Sequence, residues 1–242
     1  MTRKILLTND DGINAEGIIK LAELAADYGD LYVIAPEHQC SGKSAGITVT
    51  DDLCVREVDF PVPVKAAYSI NGMPTDCSLV GCSGDLFPKP DLVLSGINKG
   101  FNIGFDILYS GTIGAALEAL VHGIPAAAFS QGRNCSDYSI FEKSFGEMMD
   151  HVLKNPMSDK LWNFNVPECS ADEYKGIMFG CRPAQKEYFG IENFTLKNLE
   201  DGRISLEPIA SEPADAADGT DLNAVLNGYA SCGSVECCVI KR

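Results

Sequence analysis

The chain has 242 residues, and 19 basic against 34 acidic side chains leave a formal net charge of −15. At about 100–200 residues per domain, this is one large domain, or a main domain with a small appendage, able to bury a core without disulfide or metal staples. With 45% hydrophobic and 22% charged residues, wholesale disorder, a collagen-like fibre and a coiled coil are excluded, and the acidic balance argues against binding a nucleic-acid backbone or an anionic membrane surface.

The first half alternates between two periodicities. Lys4–Thr8 (KILLT) is a short apolar run and reads as a strand; Ile18, Leu21, Leu24, Ala25 and Tyr28 then recur at helical spacing over 17–28. Leu31–Ala35 (LYVIA) is a second strand stopped by Pro36. Residues 47–72 interleave valines with polar residues and prolines, the pattern of an antiparallel ribbon. Asp91–Ser95 (DLVLS) is a buried-type strand between Pro90 and Gly96. A helix is expected over 110–122, with Ser110 as N-cap, one apolar face of Ile113, Ala116, Leu117, Leu120 and Val121, and Gly123 as its stop. Ile124–Phe129 is a strand, and 138–154 repeats the helical pattern through Phe141, Phe145, Met148, Met149 and Val152.

Beyond residue 160 only short extended pieces stand out, at Ile177–Gly180, Phe194–Lys197 and Ile204–Leu206, with an acidic loop at 211–220. Strands alternating with helices imply parallel pairing through right-handed crossovers. The expected fold is therefore α/β: a Rossmann-like, doubly wound, mostly parallel sheet with an antiparallel ribbon and a C-terminal extended arm. Residues 1–160 are expected to form the Rossmann-like core, and 161–242 a C-terminal extension or arm, of one overall domain.

No apolar run approaches the about 18 residues of a membrane span, and the short stretch Ile5–Leu7 runs at once into acid, unlike a signal peptide. The expected compartment is the cytoplasm. Ten cysteines occur without a C-x-x-C pair, and the three histidines sit at no zinc spacing. The tail cluster Cys232, Cys237 and Cys238 lacks a fourth ligand nearby, so most of the thiols read as small buried residues.

In a doubly wound sheet ligands bind beyond the strands' carboxyl ends, so the loops 9–16, 36–46 and 96–112 are expected at one end. The first carries Asn9-Asp10-Asp11-Gly12. Adjacent carboxylates repel unless a cation shares them, and hard cations prefer such oxygens. The second loop offers Ser41-Gly42. The third, SGINKGFNIGFDILYSGT, combines Gly96, Gly100, Gly104 and Gly111 with Asn98 and Asn102 and opens into the helix at Ser110. Free N–H groups of Gly111 and Thr112 at that helix start form an anion site. The run is neither a Walker P-loop nor a dinucleotide loop. Together the loops supply oxygens for Mg²⁺ or Mn²⁺ beside a phosphate cradle, which points to metal-assisted phosphoester chemistry. Lys43 and Lys99 are the basic residues expected near it, and Asp10 or Asp11 the nearby choice of base.

The segments ILLTNDDGI (5–13), VIAP…SG (33–42), NGMPTDC (71–77), SGINKGFN (95–102) and YSGTIGAALEA (109–119), with GTD (219–221) and GY (228–229), resemble the SurE (stationary-phase survival protein) nucleotidases. The resemblance implies a Rossmann-like phosphatase, dependent on one divalent cation per subunit, Mg²⁺ or Mn²⁺, that hydrolyses nucleoside 5′- or 3′-monophosphates and, in some members, polyphosphate. It puts metal ligands at Asp10, Asp11, Ser41 and Asn98, with Asp10, Asp11 and Asn98 catalytic, and phosphate contacts at Asn102, Ser110, Gly111 and Thr112. It also implies a homodimer or homotetramer with a C-terminal arm exchanged between subunits. The chain departs from the family at Cys40, where an arginine often precedes Ser-Gly, and in its cysteine-rich end.

Three rivals fit less well. A response-regulator receiver needs an aspartate at the end of the central strand, which here runs Ser95-Gly96-Ile97-Asn98. A haloacid-dehalogenase-type phosphatase needs D-x-D, but the acids here are adjacent. A non-catalytic nucleotide-binding module has no need of Asp10 and Asp11 together.

Overall fold

The structure is a computed structural model that describes residues 2–188, 190–211 and 216–237, with backbone alone for 190–193 and 210–211. The central sheet is built from β1 (Lys4–Thr8), β2 (Asp30–Pro36), β3 (Val55–Glu57), β4 (Ala66–Ile70), β5 (Leu92–Lys99), β6 (Ala126–Gln131), β7 (Lys160–Val166) and β8 (Ile177–Cys181). Its ninth strand comes from near the end of the chain. A separate antiparallel hairpin, β9 (Gly190–Asn198) with β10 (Ile204–Ser211), precedes that last strand, β11 (Ala230–Glu236). The sheet order is β3-β4-β2-β1-β5-β6-β7-β11-β8. Pairing is parallel from β4 across to β7; β3 lies antiparallel on one edge, and β11 runs antiparallel to β7 and parallel to β8. The helices are α1 (Glu16–Ala25), α2 (Pro74–Ser83), α3 (Gly111–Val121), α4 (Ser139–Lys154) and the short α5 (Asp221–Leu226).

Alternation along the strands divides the core into two layers, because successive side chains point to opposite faces. Ile5, Leu7, Val33, Leu94 and Phe129 pack with Ile18 and Leu21 of α1 and with Phe141, Phe145 and Met148 of α4. Leu6, Ile34, Val93 and Ala128 pack on the other side with Cys77 of α2 and Ile113, Ala116 and Leu120 of α3. The small side chains of Ala126 and Ala128 on β6, both buried, let α3 approach closely. Helices on both faces make the sheet doubly wound, as the sequence pattern implies. Its direction of winding reverses between β1 and β5, which are direct neighbours.

Three elements differ from the sequence reading. Only 55–57 and 66–70 of the 47–72 segment pair antiparallel, and β4 also joins β2 in parallel, so the ribbon is the edge of the main sheet. Helix α2 carries no apolar stripe: Pro74, Thr75, Asp76, Cys77, Ser78, Gly81 and Cys82 are all buried, so burial on several sides erases the periodicity. The chain beyond 160 contributes β7, β8 and β11 to the main sheet, the last in the cysteine-rich segment. Residues 212–215 of the expected acidic loop, and Cys238 of the tail cluster, lie outside the described residues.

Candidate active site

The NDDG turn closes on itself. The Asn9 amide donates to the Gly12 carbonyl at 2.9 Å, and the Gly12 N–H donates to Asn9 Oδ1 at 3.1 Å. This aims Asp10 and Asp11 off the end of β1. The second loop is fastened to the first, since Cys40 N–H donates to the Asp10 carbonyl at 2.7 Å and Ile13 N–H to that of Pro36 at 2.9 Å. The third loop leaves β5 through an irregularity between Ser95 and Asn98 that contains a cis Gly96–Ile97 peptide. Gly96 has φ +135°, and a Cβ there would lie 2.3 Å from the Phe129 carbonyl oxygen, so only glycine fits. Asp10, Ser41, Asn98, Asn102 and Ser110 all line one cavity of about 440 Å³ at the β1–β5 switch point. Asp11, Ser41 and Lys99 line an adjoining one of about 500 Å³.

The carboxylates occupy unlike environments. Asp10 is 3% exposed. Burial, the largest influence, pushes its carboxyl up to about 7; the Thr112 hydroxyl bonded to it works the other way, and the charge of Asp11 adds to the rise. Asp11 is partly exposed and accepts from Gln39 Nε2 at 3.1 Å and from the Lys99 N–H at 3.3 Å. The same Gln39 nitrogen lies 3.0 Å from Ser41 Oγ, so one amide spans two of the candidate ligands. Asn98 donates its amide N–H to the Gly100 carbonyl at 2.8 Å, which leaves its side-chain oxygen as an acceptor. Among the described residues no three His, Cys, Asp or Glu side chains cluster. Ser41 and Asn98 stand beside the two carboxylates as oxygen donors, and such an all-oxygen set is chemically suited to a hard divalent ion.

The expected phosphate contacts divide. Ser110 caps α3, accepting from Ile113 N–H at 3.1 Å, and lines the cavity. Asn102 is held from four directions. Its N–H donates to Asn165 Oδ1 at 2.7 Å, its side-chain amide to Ser130 Oγ at 2.8 Å, and its carbonyl accepts from the amides of Asn163 and Asn165. Thr112 is fully buried, and its hydroxyl donates to Asp10 Oδ1 at 2.5 Å. Its side chain thus serves Asp10, and only its backbone N–H is left to face an anion. Gly111 shows no positive φ; a Cβ there would lie 2.8 Å from Asp10 Cβ and 3.1 Å from Pro74 Cγ, so close approach explains the glycine.

Several participants escape the sequence reading. Arg133, from the loop after β6, lines both cavities, whereas Lys43 lines neither; the basic residues at the site are Lys99 and Arg133. Asp106 and Glu187 add carboxylates to the cavity that Asp10 lines. Asp76 accepts from Met73 N–H at 2.8 Å and from Thr48 Oγ1 at 2.7 Å, fixing the loop that follows Ser41. Asp221, in the GTD segment, accepts from the backbone of Gly104 at 3.0 Å and of Ala184 at 2.8 Å, tying the glycine-rich loop to the chain beyond 180. Apart from the local Met73–Asp76 pair, each of these hydrogen bonds spans a sequence distance that no local motif reports.

This arrangement defines a class: a Rossmann-like α/β protein with an oxygen-lined acidic centre and a helix N-terminus meeting at its topological switch point. Comparison with known proteins narrows it. The family described as "Survival protein SurE" matches residues 5–189. A 5′-nucleotidase SurE of Clostridium botulinum (strain 657 / Type Ba4) is 40% identical over 229 residues, 93% of this chain and 89% of that protein. The 5′-nucleotidase SurE of Chlamydia felis is 44% identical over 184 residues, 72% and 66% of the two chains. The crystal structure of a SurE protein from Aquifex aeolicus superposes with a TM-score of 0.82 at 35% identity, covering 96% of this chain and 93% of that one. The chain belongs to the SurE family.

Proposed function

We propose that this protein is a phosphomonoester hydrolase of the 5′-nucleotidase type, which splits nucleoside 5′- or 3′-monophosphates into nucleoside and phosphate. The observation that carries the reading is the convergence of Asp10, Asn98 and Ser110 on one cavity, within a chain closely similar to curated 5′-nucleotidases. Short polyphosphate is a further candidate substrate. Asp10, Asp11, Ser41 and Asn98 would hold one Mg²⁺ or Mn²⁺ per subunit. When bound, such an ion polarises a phosphate and lowers the pKa of water near it.

The chain's own residues supply the rest. The N–H groups of Gly111 and Thr112, at the start of the eleven-residue α3, face developing negative charge on the phosphoryl oxygens. Asn102 is rigidly held beside them by Asn165 and Ser130. Lys99 and Arg133 offset the acidic field along the approach. Two routes then release the nucleoside. In one, an aspartate takes the proton of an attacking water; in the other, an aspartate attacks phosphorus itself and the acyl phosphate is hydrolysed afterwards.

Oligomerisation through the chain beyond 160 belongs to the same proposal. The β9–β10 hairpin leaves Leu196, Ile204 and Leu206 each more than half exposed, which supports a homodimer or homotetramer that covers them. The division into a 1–160 core and a 161–242 extension within one domain is also proposed. No helix among the described residues is long and apolar enough to cross a membrane. The nine described cysteines are free thiols, which supports a reducing compartment such as the cytoplasm.

The test is phosphate release from a mononucleotide before and after chelation. Chelation abolishes turnover and Mg²⁺ or Mn²⁺ restores it; Asp11→Asn and Asn98→Ala lower the rate by orders of magnitude with the fold intact. Full activity after exhaustive chelation, or near-normal rates in both variants, would overturn the assignment.

A further inference from the structure

Cys77, Cys82, Cys181 and Cys232 are buried in the core. Cys135 and Cys169 differ. Both are half-buried, and both line a cavity of about 260 Å³ between the loops that follow β6 and β7. This cavity shares no lining residue with the two active-site cavities, and no described residue of the β9–β10 hairpin lines it.

The two thiol-bearing segments are already fastened side by side. Asn134 donates its N–H and its side-chain amide to the Glu168 carboxylate, each at 2.9 Å, and Gly132 N–H donates to the Val166 carbonyl at 3.2 Å. Gly132 packs so closely on Glu168 that a Cβ there would overlap it. The Pro167 carbonyl accepts from Cys135 Sγ at 3.6 Å and from Cys169 N–H at 3.1 Å, so one thiol sits over the backbone that carries the other. Two cysteines can bridge only where their backbones lie close, and these contacts hold the segments together. The same turn also reaches the active site. Cys135 lines the thiol cavity, while Arg133, two residues before it, lines both active-site cavities.

We propose that Cys135 and Cys169 form a dithiol that a peroxide oxidises to a disulfide, and that closing this bond draws Arg133 away from the active site. The Cys169 thiolate attacks one peroxide oxygen. An S–O bond forms, the O–O bond breaks, and the departing hydroxide takes up the proton that Cys169 released, leaving water and a sulfenic acid. The Cys135 sulfur then attacks the Cys169 sulfur. An S–S bond forms, the S–O bond breaks, and hydroxide leaves with the Cys135 proton as a second water. Two thiols are oxidised and one peroxide is reduced to water. Burial is the main influence on both thiols, pushing Cys135 up to about 11 and raising Cys169 as well. Among nearby charges, Glu168 and Asp137 raise Cys135 further, while Lys175 works against Glu173 at Cys169. The thiolate fraction at neutral pH is therefore small, so the pair closes under sustained oxidation and closes faster as pH rises.

The experiment treats the reduced full-length protein, freed of reductant, with hydrogen peroxide and maps its peptides without reduction. A Cys135–Cys169 cross-linked peptide is expected, formed faster at higher pH. With 5′-AMP and Mg²⁺, kcat/KM falls several-fold on oxidation and returns with dithiothreitol. Cys135→Ser and Cys169→Ser lose the cross-link and keep their activity through the same treatment; Cys135→Ala and Cys169→Ala serve where serine unsettles the fold. Absence of the cross-link from the oxidised wild type, or pairing of either thiol with a different cysteine, would overturn the dithiol. A cross-link that leaves kcat/KM unchanged would overturn its link to Arg133. A reduced wild type inactive on AMP would instead overturn the nucleotidase reading; the cross-link, with calorimetric titration of both forms with inorganic phosphate, would still decide the proposal.

Discussion

The Thr112 hydroxyl donates to Asp10 Oδ1 at 2.5 Å across 102 residues of sequence, and both side chains are shielded from solvent. The first residues of α3 therefore orient Asp10, the proposed metal ligand, in addition to the role proposed for their N–H groups at a phosphate. Thr112→Val keeps the shape but removes the one side-chain donor to buried Asp10 among the described residues, a hydrogen bond to a charged group being worth about 1.5–3 kcal/mol. Calorimetric titration with Mn²⁺ is expected to show affinity reduced by tenfold or more, and Thr112→Ser to restore it. Equal affinity in Thr112→Val and wild type would show that the hydroxyl does not position Asp10.

Gln39 is tested in the same way. Its Nε2 bridges Asp11 Oδ1 and Ser41 Oγ, at 3.1 and 3.0 Å. Gln39→Leu frees both groups to wander, so cation affinity should fall several-fold while the far-ultraviolet circular dichroism stays unchanged. An affinity equal to wild type would remove Gln39 from the site's scaffold.

Stability should depend on pH in a direction set by Asp10. Its carboxyl is pushed up to about 7 from 3.8, chiefly by burial. The folded state therefore holds that proton more tightly than the unfolded chain does. In the chelated protein this contribution is complete below pH 3.8 and is lost as pH rises to about 7. The loss is of the order of 4 kcal/mol, at about 1.4 kcal/mol per unit. A cation on Asp10 offsets the buried charge, so the rise in Tm on adding Mn²⁺ should be larger at pH 8 than at pH 5. Melting scans with chelator and with Mn²⁺ check this, and an equal or smaller rise at pH 8 would contradict it.

Gly111→Val drives side-chain atoms into the space held by Asp10 and Pro74, where a Cβ alone lies at 2.8 and 3.1 Å. Displacing Asp10 should impair cation binding and the phosphate cradle together. Vanadate with Mn²⁺ is expected to compete with substrate in wild type and to lose most of that potency in the variant. Equal inhibition of both would place the phosphate elsewhere.

Phe129 stacks on Phe164 at 5.3 Å between ring centroids and contacts Phe141 and Phe145. Phe129→Ala empties this fully buried position, at a cost of about 3–5 kcal/mol. Its carbonyl oxygen also packs against Gly96, so urea denaturation should show the loss in stability and turnover at 25 °C should fall with it. A loss under about 1 kcal/mol would mean that the core refills the space.

The sequence alone determined the alternating core and the polar loops at its end. Runs such as KILLT and LYVIA, buried on both faces of the sheet, and the helical spacing over 110–122 are local patterns that record how an element is buried. Asp10, Ser41 and Asn98 reach one cavity, and Asp11 the adjoining one, because a parallel α/β sheet gathers its strand ends on one side. Tertiary structure decided what no local pattern carries. Helix α2 is buried on several sides and shows no stripe. The cysteine-rich β11 settles between β7 and β8 because their open edges accept it. Thr112 turns toward Asp10, Gln39 spans Asp11 and Ser41, and Arg133 lines both cavities. Periodicity encodes burial of a residue relative to its own element; which residue it meets from another loop depends on how the whole sheet packs.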